Sequence, residues 1–133
     1  MTVAEFDPIP ARIESIASQI VDAAIKVHKT LGPGLLESVY ETCMCHELAR
    51  RGIPFKRQLD LPIVYEGIRL EAGLRIDILV NDLVIVELKT VETVLPIHEA
   101  QLLTYLKLSN KRIGFLLNLN VPIMKHGIKR LIL

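Results

Sequence analysis

The chain contains no tryptophan and only three phenylalanines and three tyrosines among its 133 residues. So sparse an aromatic set gives little support to a platform on which unpaired bases would stack. Cys43 and Cys45 are the whole thiol inventory. They stand two apart in a segment patterned as a helix, where i and i+2 side chains diverge, which argues against an internal disulfide. Both read as buried free thiols, and two thiols without a second half fall short of a zinc site. No run approaches the ~18 apolar residues of a membrane span. The first residues carry Glu5, Asp7, Pro8 and Pro10 where a secretory signal needs an apolar stretch. A soluble, cytoplasmic protein is the expectation. Charge excess is also missing: 16 basic against 15 acidic residues. Contact with nucleic acid would therefore need local patches rather than an overall field.

What is present is a folding chain, half of it hydrophobic. Its length suits one domain, read as residues 12–133 after a lead-in over 1–11. From Arg12 to Leu31, Ile13, Ile16, Ala17, Ile20, Ala24, Val27 and Leu31 form one stripe, with Glu14, Ser18, Asp22, Lys26 and Lys29 opposite. Gly32-Pro33-Gly34 stops this helix. A second helix is predicted from about Leu35 to Arg51, with Gly52 as its stop. The period then changes to two. Ile53, Phe55, Arg57 and Leu59 alternate, Leu61–Tyr65 reads as a further extended segment, and Glu66-Gly67 as a turn. Leu74–Val80 and Val84–Thr90 are strands around Asn81-Asp82-Leu83. A third helix over Leu95–Ser109, a buried strand at Ile113–Asn118 and a last strand at Ile128–Leu133 complete an α-α-β-β-β-β-α-β-β order. The fold class is α/β, a sandwich with a central mixed sheet flanked by helices.

Two of these strands carry charge where an apolar sheet should not. Val84-Ile85-Val86-Glu87-Leu88-Lys89 places Glu87 and Lys89 on one face, because side chains two apart in a strand project together. Asp77 sits in the equally apolar Arg75–Val80. A two-residue turn would set Asp77 opposite Val86. A three-residue connection through Leu83 sets Asp77 opposite Glu87 and Arg75 opposite Lys89, and that register is the one expected. Facing carboxylates in an apolar sheet repel and resist ionisation. A hard divalent cation with oxygen ligands relieves this directly. An ion-paired Lys–Glu–Asp–Arg cluster on a half-exposed face is the other reading of the strands alone.

Two helices bear on the choice. Glu37 shares a face with Tyr40, Met44 and Leu48, where a glutamate is costly unless it meets a cation, although a charge near a helix N-terminus is also favoured by the dipole. His98, Gln101, Leu102 and Tyr105 share a side of the third helix, with Gln101 and Tyr105 as i,i+4 neighbours. Taken singly, each polar group reads as satisfied at the core edge.

Asp77, then Glu87-x-Lys89 one hairpin later, then Gln101-x-x-x-Tyr105 on the next helix resemble the PD-(D/E)XK nucleases, the restriction-endonuclease-like fold, and the RecB-like branch in particular. Gly34-Leu-Leu-Glu37-Ser-Val-Tyr40 resembles the GxxExxY signature of a family within that superfamily. Val27-His28, Leu31–Gly34 and Gly114–Asn118 fit as well, and the resemblance covers about Ile16 to Arg130. It departs at the prolyl position, where Ile76 precedes Asp77. The resemblance implies Asp77, Glu87 and the Leu88 backbone carbonyl as ligands of Mg²⁺ or Mn²⁺. Glu37 would act through water, Lys89 would orient water or stabilise phosphate charge, and Gln101 and Tyr105 would position substrate or the strand carrying Lys89. It assigns nothing to His28 or His98 beyond a supporting place.

A metal-dependent nuclease is thus the expected activity, and nucleic acid the expected partner, DNA ahead of RNA. Arg50, Arg51, Lys56 and Arg57, and then Lys125, Lys129 and Arg130, could track a phosphate backbone or simply be solvated surface. A non-catalytic interaction module of the same fold and a small-phosphate hydrolase are the alternatives. The high apolar content raises self-association through a sheet edge or the first helix.

Overall fold

Helix α1 (Ala11–Leu31) buries the predicted stripe: Ile13, Ala17, Ile20, Ala24 and Val27 face inward, while Leu31 at its end is exposed. The structure is a computed structural model that describes residues 7–133, so most of the expected lead-in lies outside the described residues. Pro10 precedes the first helical turn, and Gly32 ends the helix at φ 74°, a left-handed value natural to glycine, with its N–H donating to the His28 carbonyl. Helix α2 (Glu37–Arg50) follows, two residues later than expected. Tyr40 explains the tight entry. Its buried hydroxyl donates to the Gly32 carbonyl at 2.6 Å and accepts from the Leu35 N–H at 3.1 Å, tying the turn to the helix it precedes.

Strands β1 (Phe55–Tyr65), β2 (Ile68–Val80), β3 (Val84–Lys89), β4 (Ile113–Asn118) and β5 (Ile128–Ile132) form one sheet in chain order, with α3 (Pro96–Ser109) between β3 and β4 and a 3₁₀ turn at Met124–Gly127. Pairing is antiparallel except between β3 and β4, which run parallel as the α3 crossover requires. The sheet is therefore mixed, as expected, but among the described residues it has five strands rather than six. The two extended segments expected at 53–59 and 61–65 are one strand. A register shift between Leu61 and Ile63 accommodates Pro62 there. β2 also begins at Ile68, six residues before the expected Leu74. Gly73 permits this, because a Cβ there would lie 2.3 Å from Ile63 Cγ1.

The two sheet faces have separate cores. Val84, Val86 and Leu88 pack with Ile20, Tyr40, Met44 and Leu48 under α1 and α2. Ile85 and Leu116 pack with Leu102 and Leu106 of α3. Helix α3 comes so close that a Cβ on Gly114 would meet Leu102 at 3.0 Å. Both faces of β3 are thus covered, which is why its sequence is nearly continuous apolar residues. The charged exceptions lie at its C-terminal end.

Candidate active site

The β2–β3 connection has three residues, as expected. Asn81 and Asp82 adopt left-handed φ values of 51° and 56°, Leu83 N–H donates to the Val80 carbonyl, and the ladder opens at Val80 opposite Val84. It continues through Leu79–Ile85 to Ile78–Val86. The next pair in that register is Asp77 with Glu87. Here carboxylates take over from the backbone: the Asp77 N–H donates to Glu87 Oε2 at 3.2 Å, and the Leu88 N–H donates to Asp77 Oδ2 at 2.9 Å. The two acids satisfy the peptide groups that the parting strands would otherwise leave open. In an extended strand, the N–H and C=O of one residue point the same way, so the Leu88 carbonyl also turns toward β2.

One element of the expected register fails. Arg75 does not stand opposite Lys89, because the β2–β3 ladder ends before reaching them. Arg75 pairs across to Asp60 of β1, Nε to Oδ1 at 3.0 Å, and Lys89 lies beside Asn118 of β4.

Glu87 is 6% exposed, and its carboxyl is pushed up to about 9. Burial is the largest cause, followed by the hydrogen-bonding contact and charge of Asp77. The Asp77 N–H and the Lys89 ammonium oppose it. Glu37, at the exposed start of α2, is raised too, first by desolvation from the surrounding protein and then by Asp77, with Lys89 pulling it down. The Tyr105 phenol is raised by burial and by the charges of Glu87 and Asp77. Four elements therefore bring Asp77, Glu87, Lys89, Glu37 and Tyr105 within electrostatic reach of one another.

Gln101 is not gathered in the same way. It stands exposed one turn before Tyr105, and among the described residues it makes no hydrogen bond to this group. The two histidines serve backbone instead: His98 Nδ1 accepts the Leu95 N–H at the start of α3, and buried His28 Nε2 meets the Val121 carbonyl at 2.7 Å. Cys45 is buried and Cys43 only half-buried, both free.

Three residues at the site escaped the sequence reading. Glu41, one turn after Glu37, is buried and held by Arg57 and Gln58. Gln58 also reaches Asp77 Oδ1 at 3.4 Å. Buried Asn118 accepts from the N–H groups of Val91 and Asn120 and donates to the Val91 carbonyl, bracing the chain as it leaves Lys89. The i,i+4 spacing of Glu37 and Glu41 was a readable signal. For Gln58 and Asn118 only the tertiary structure supplies one.

The basic runs are mostly spent. Arg50 and Arg51 pair with Glu47, Arg57 with Glu41, Lys129 with Glu99 and Arg130 with Glu14. Of the seven cations in the two basic runs, five are thereby paired with acids.

Whether these residues suit a divalent ion can be judged from the donors. Among the described residues no three His, Cys, Asp or Glu side chains stand together as a ready cage. The convergent set is two carboxylates plus a backbone carbonyl turned the same way, all hard oxygen donors of the kind Mg²⁺ takes while keeping several waters. The donor set fits such an ion.

A mixed sheet between helices, with an acid pair where two inner strands part, defines a restriction-endonuclease-like α/β fold. The chain belongs to the PD-(D/E)XK nuclease superfamily, whose family profile matches residues 14–131. Members of that superfamily are typically nucleases and generally use divalent metals. No curated protein and no solved structure matched the chain. No helix among the described residues is long and apolar enough to cross a membrane.

Proposed function

We propose that this chain is a Mg²⁺- or Mn²⁺-dependent phosphodiesterase acting on nucleic acid, of the GxxExxY family within the RecB-like branch. The carrying observation is geometric: where β2 and β3 part, the Asp77 N–H donates to Glu87 Oε2 at 3.2 Å and the Leu88 N–H to Asp77 Oδ2 at 2.9 Å, which sets a half-buried acid beside the buried Glu87. Burial and the neighbouring acid raise the Glu87 carboxyl to about 9, and a cation bound between the strands would favour its ionised form. Asp77, Glu87 and the Leu88 carbonyl would hold the ion, with Glu37 reaching it through water. When bound, the ion supplies an acidified water and a counter-charge for phosphate.

The remaining roles fall to the chain itself. Lys89, on the same strand face as Glu87, places an ammonium charge where phosphate oxygens gain negative charge. Tyr105 presents a phenol toward the acid pair from α3, and exposed Gln101, one turn earlier, is free to meet substrate. Tyr40 holds the turn from which α2 presents Glu37. The GxxExxY spacing thus joins one acid of the site to the tyrosine that positions it.

A second reading rests on the ion pairs of Arg50, Arg51, Arg57, Lys129 and Arg130: basic groups engaged with acids offer less charge to a long duplex and suit a small phosphoester, or a nucleic acid delivered by a partner. The test is a panel of single- and double-stranded DNA, RNA and small phosphoesters, incubated with purified protein and Mg²⁺ or Mn²⁺ beside Lys89→Ala. Metal-dependent cleavage of a polynucleotide, reduced by about 10²–10³-fold in Lys89→Ala, is expected. Activity confined to small phosphoesters supports the second reading. Metal binding without any hydrolysis leaves an interaction module.

A further inference from the structure

We infer that Gln58 is the positioning residue for Asp77, a tether that aims its carboxylate at β3. The chemistry fixes the orientation of the Gln58 amide. Its neighbours are Glu41 Oε1 at 2.5 Å and Asp77 Oδ1 at 3.4 Å, both acceptors, so the NH₂ group must face both. Glu41 is anchored in turn, its Oε2 receiving Arg57 Nη2 at 2.9 Å and Nε at 3.3 Å. A chain of contacts therefore runs from Arg57 through Glu41 and Gln58 to Asp77. Asp77 is gripped at both oxygens, by Gln58 on one side and the Leu88 N–H on the other.

The backbone is shaped to make this contact. Gln58 sits mid-strand at φ 47°, a left-handed conformation that a residue with a Cβ seldom adopts. Strand alternation reverses across it. Phe55 packs on the α1–α2 side and Arg57 reaches α2, whereas Leu59 and Leu61 join the α3 core. β2 mirrors the reversal at the residue across the ladder: Ile76 belongs to the α3 core and Ile78, two residues on, to the α1–α2 core. Asp77 lies at that switch, where its carboxylate can enter the opening between β2 and β3. Among the described residues, the other left-handed non-glycine residues lie in turns; Gln58 alone adopts this backbone inside a strand, and it does so beside the acids.

The inference rests on the metal-dependent reading only for the binding arm of its test. Gln58→Gly suits the left-handed φ and deletes the tether. Gln58→Glu keeps the length but offers carboxylate oxygens where donors are needed. Amide hydrogen exchange is measured on the metal-free full chain, and Mn²⁺ affinity by calorimetry. In both variants the Leu88 amide is expected to exchange about tenfold faster, with the β3–β4 ladder amides unchanged, and in the uncharged Gln58→Gly variant the Mn²⁺ Kd is expected to rise about 10–100-fold. Reading both variants keeps the test intact if one folds poorly. An unchanged Leu88 amide in both variants overturns the inference whatever the Mn²⁺ affinity does, because Asp77 would then keep its aim without Gln58. A faster Leu88 amide in a protein that binds no Mn²⁺ supports the tether and removes the metal-dependent reading instead.

Discussion

Glu47 and Glu87 expose similarly small fractions, 7% and 6%, but Glu47 lies shallow beneath solvent-exposed cations while Glu87 lies deep in the sheet, and their carboxyl groups are displaced in opposite directions. Glu47 lies under Lys26, Arg50 and Arg51, and its hydrogen bond from Lys26 is the largest cause holding it below the ordinary carboxylate range. Glu87 faces a second acid, with only Lys89 and one peptide N–H in opposition, and is driven up. Low exposure alone therefore does not fix the direction in which an acid is displaced. What matters is whether the fold supplies the compensating charge. At Glu47 it does. At Glu87 the surrounding groups leave that charge to come from elsewhere.

The largest expected effect breaks or upholds this contrast directly. Glu87→Gln should reduce metal-dependent hydrolysis by about 10²–10³-fold while stabilising the metal-free protein. The sign follows from linkage. The folded-state value, about 9, lies above the unfolded 4.5, so the folded protein binds the extra proton between them. Stability supplied by this group is complete below 4.5 and declines as pH rises toward 9. Thermal unfolding of the metal-free protein should show Tm falling by more than ~5 °C across that window, with Glu87→Gln much flatter. Saturating Mg²⁺, at about 100 times its Kd, should restore about 2.7 kcal/mol at high pH. A wild-type Tm that is level from pH 5 to 9 would end the argument.

Much of this was legible before any coordinates, because it is local. The α1 stripe, the β4 apolar run and the three-residue turn after Val80 each depend on residues within a few positions. The Asp77–Glu87 register follows from that turn. What escaped depends on distant partners. Arg75 reads as a neighbour of Lys89 until β1 offers Asp60, and Arg57, Lys129 and Arg130 read as free cations until Glu41, Glu99 and Glu14 arrive from other elements. Gln58 is the sharpest case. A glutamine in an alternating strand predicts no left-handed backbone, and only the parting of β2 from β3 gives that conformation a purpose.

A middle-sized effect sharpens the contrast by weakening the scaffold and leaving both acids intact. Asn118→Ala removes three backbone hydrogen bonds from a buried amide beside Lys89, leaving Val91 and Asn120 without partners. Urea unfolding should show a loss of about 2–4 kcal/mol. Hydrolysis by the fraction still folded should fall as well, because Lys89 loses the brace on the chain that follows it. Unchanged turnover per folded molecule would mean that Lys89 needs no such support.

The smallest effect belongs to the other acid and completes the comparison. Glu47→Gln removes a group whose folded-state value is lowered, so its stabilisation is fully present above 4.5 and fades as pH falls through the lowered value. Its Tm should sit slightly below wild type at pH 7, converge with it in acid, and approach it at high salt, since the partners Lys26 and Arg50 are solvent-exposed. Mn²⁺ affinity should not move. The two acids thus act on stability from opposite sides of the ordinary carboxylate range, Glu47 eroding it as pH falls and Glu87 as pH rises. Should Glu47→Gln weaken Mn²⁺ binding as much as Glu87→Gln does, compensation by cations would not be what separates a structural acid from a functional one.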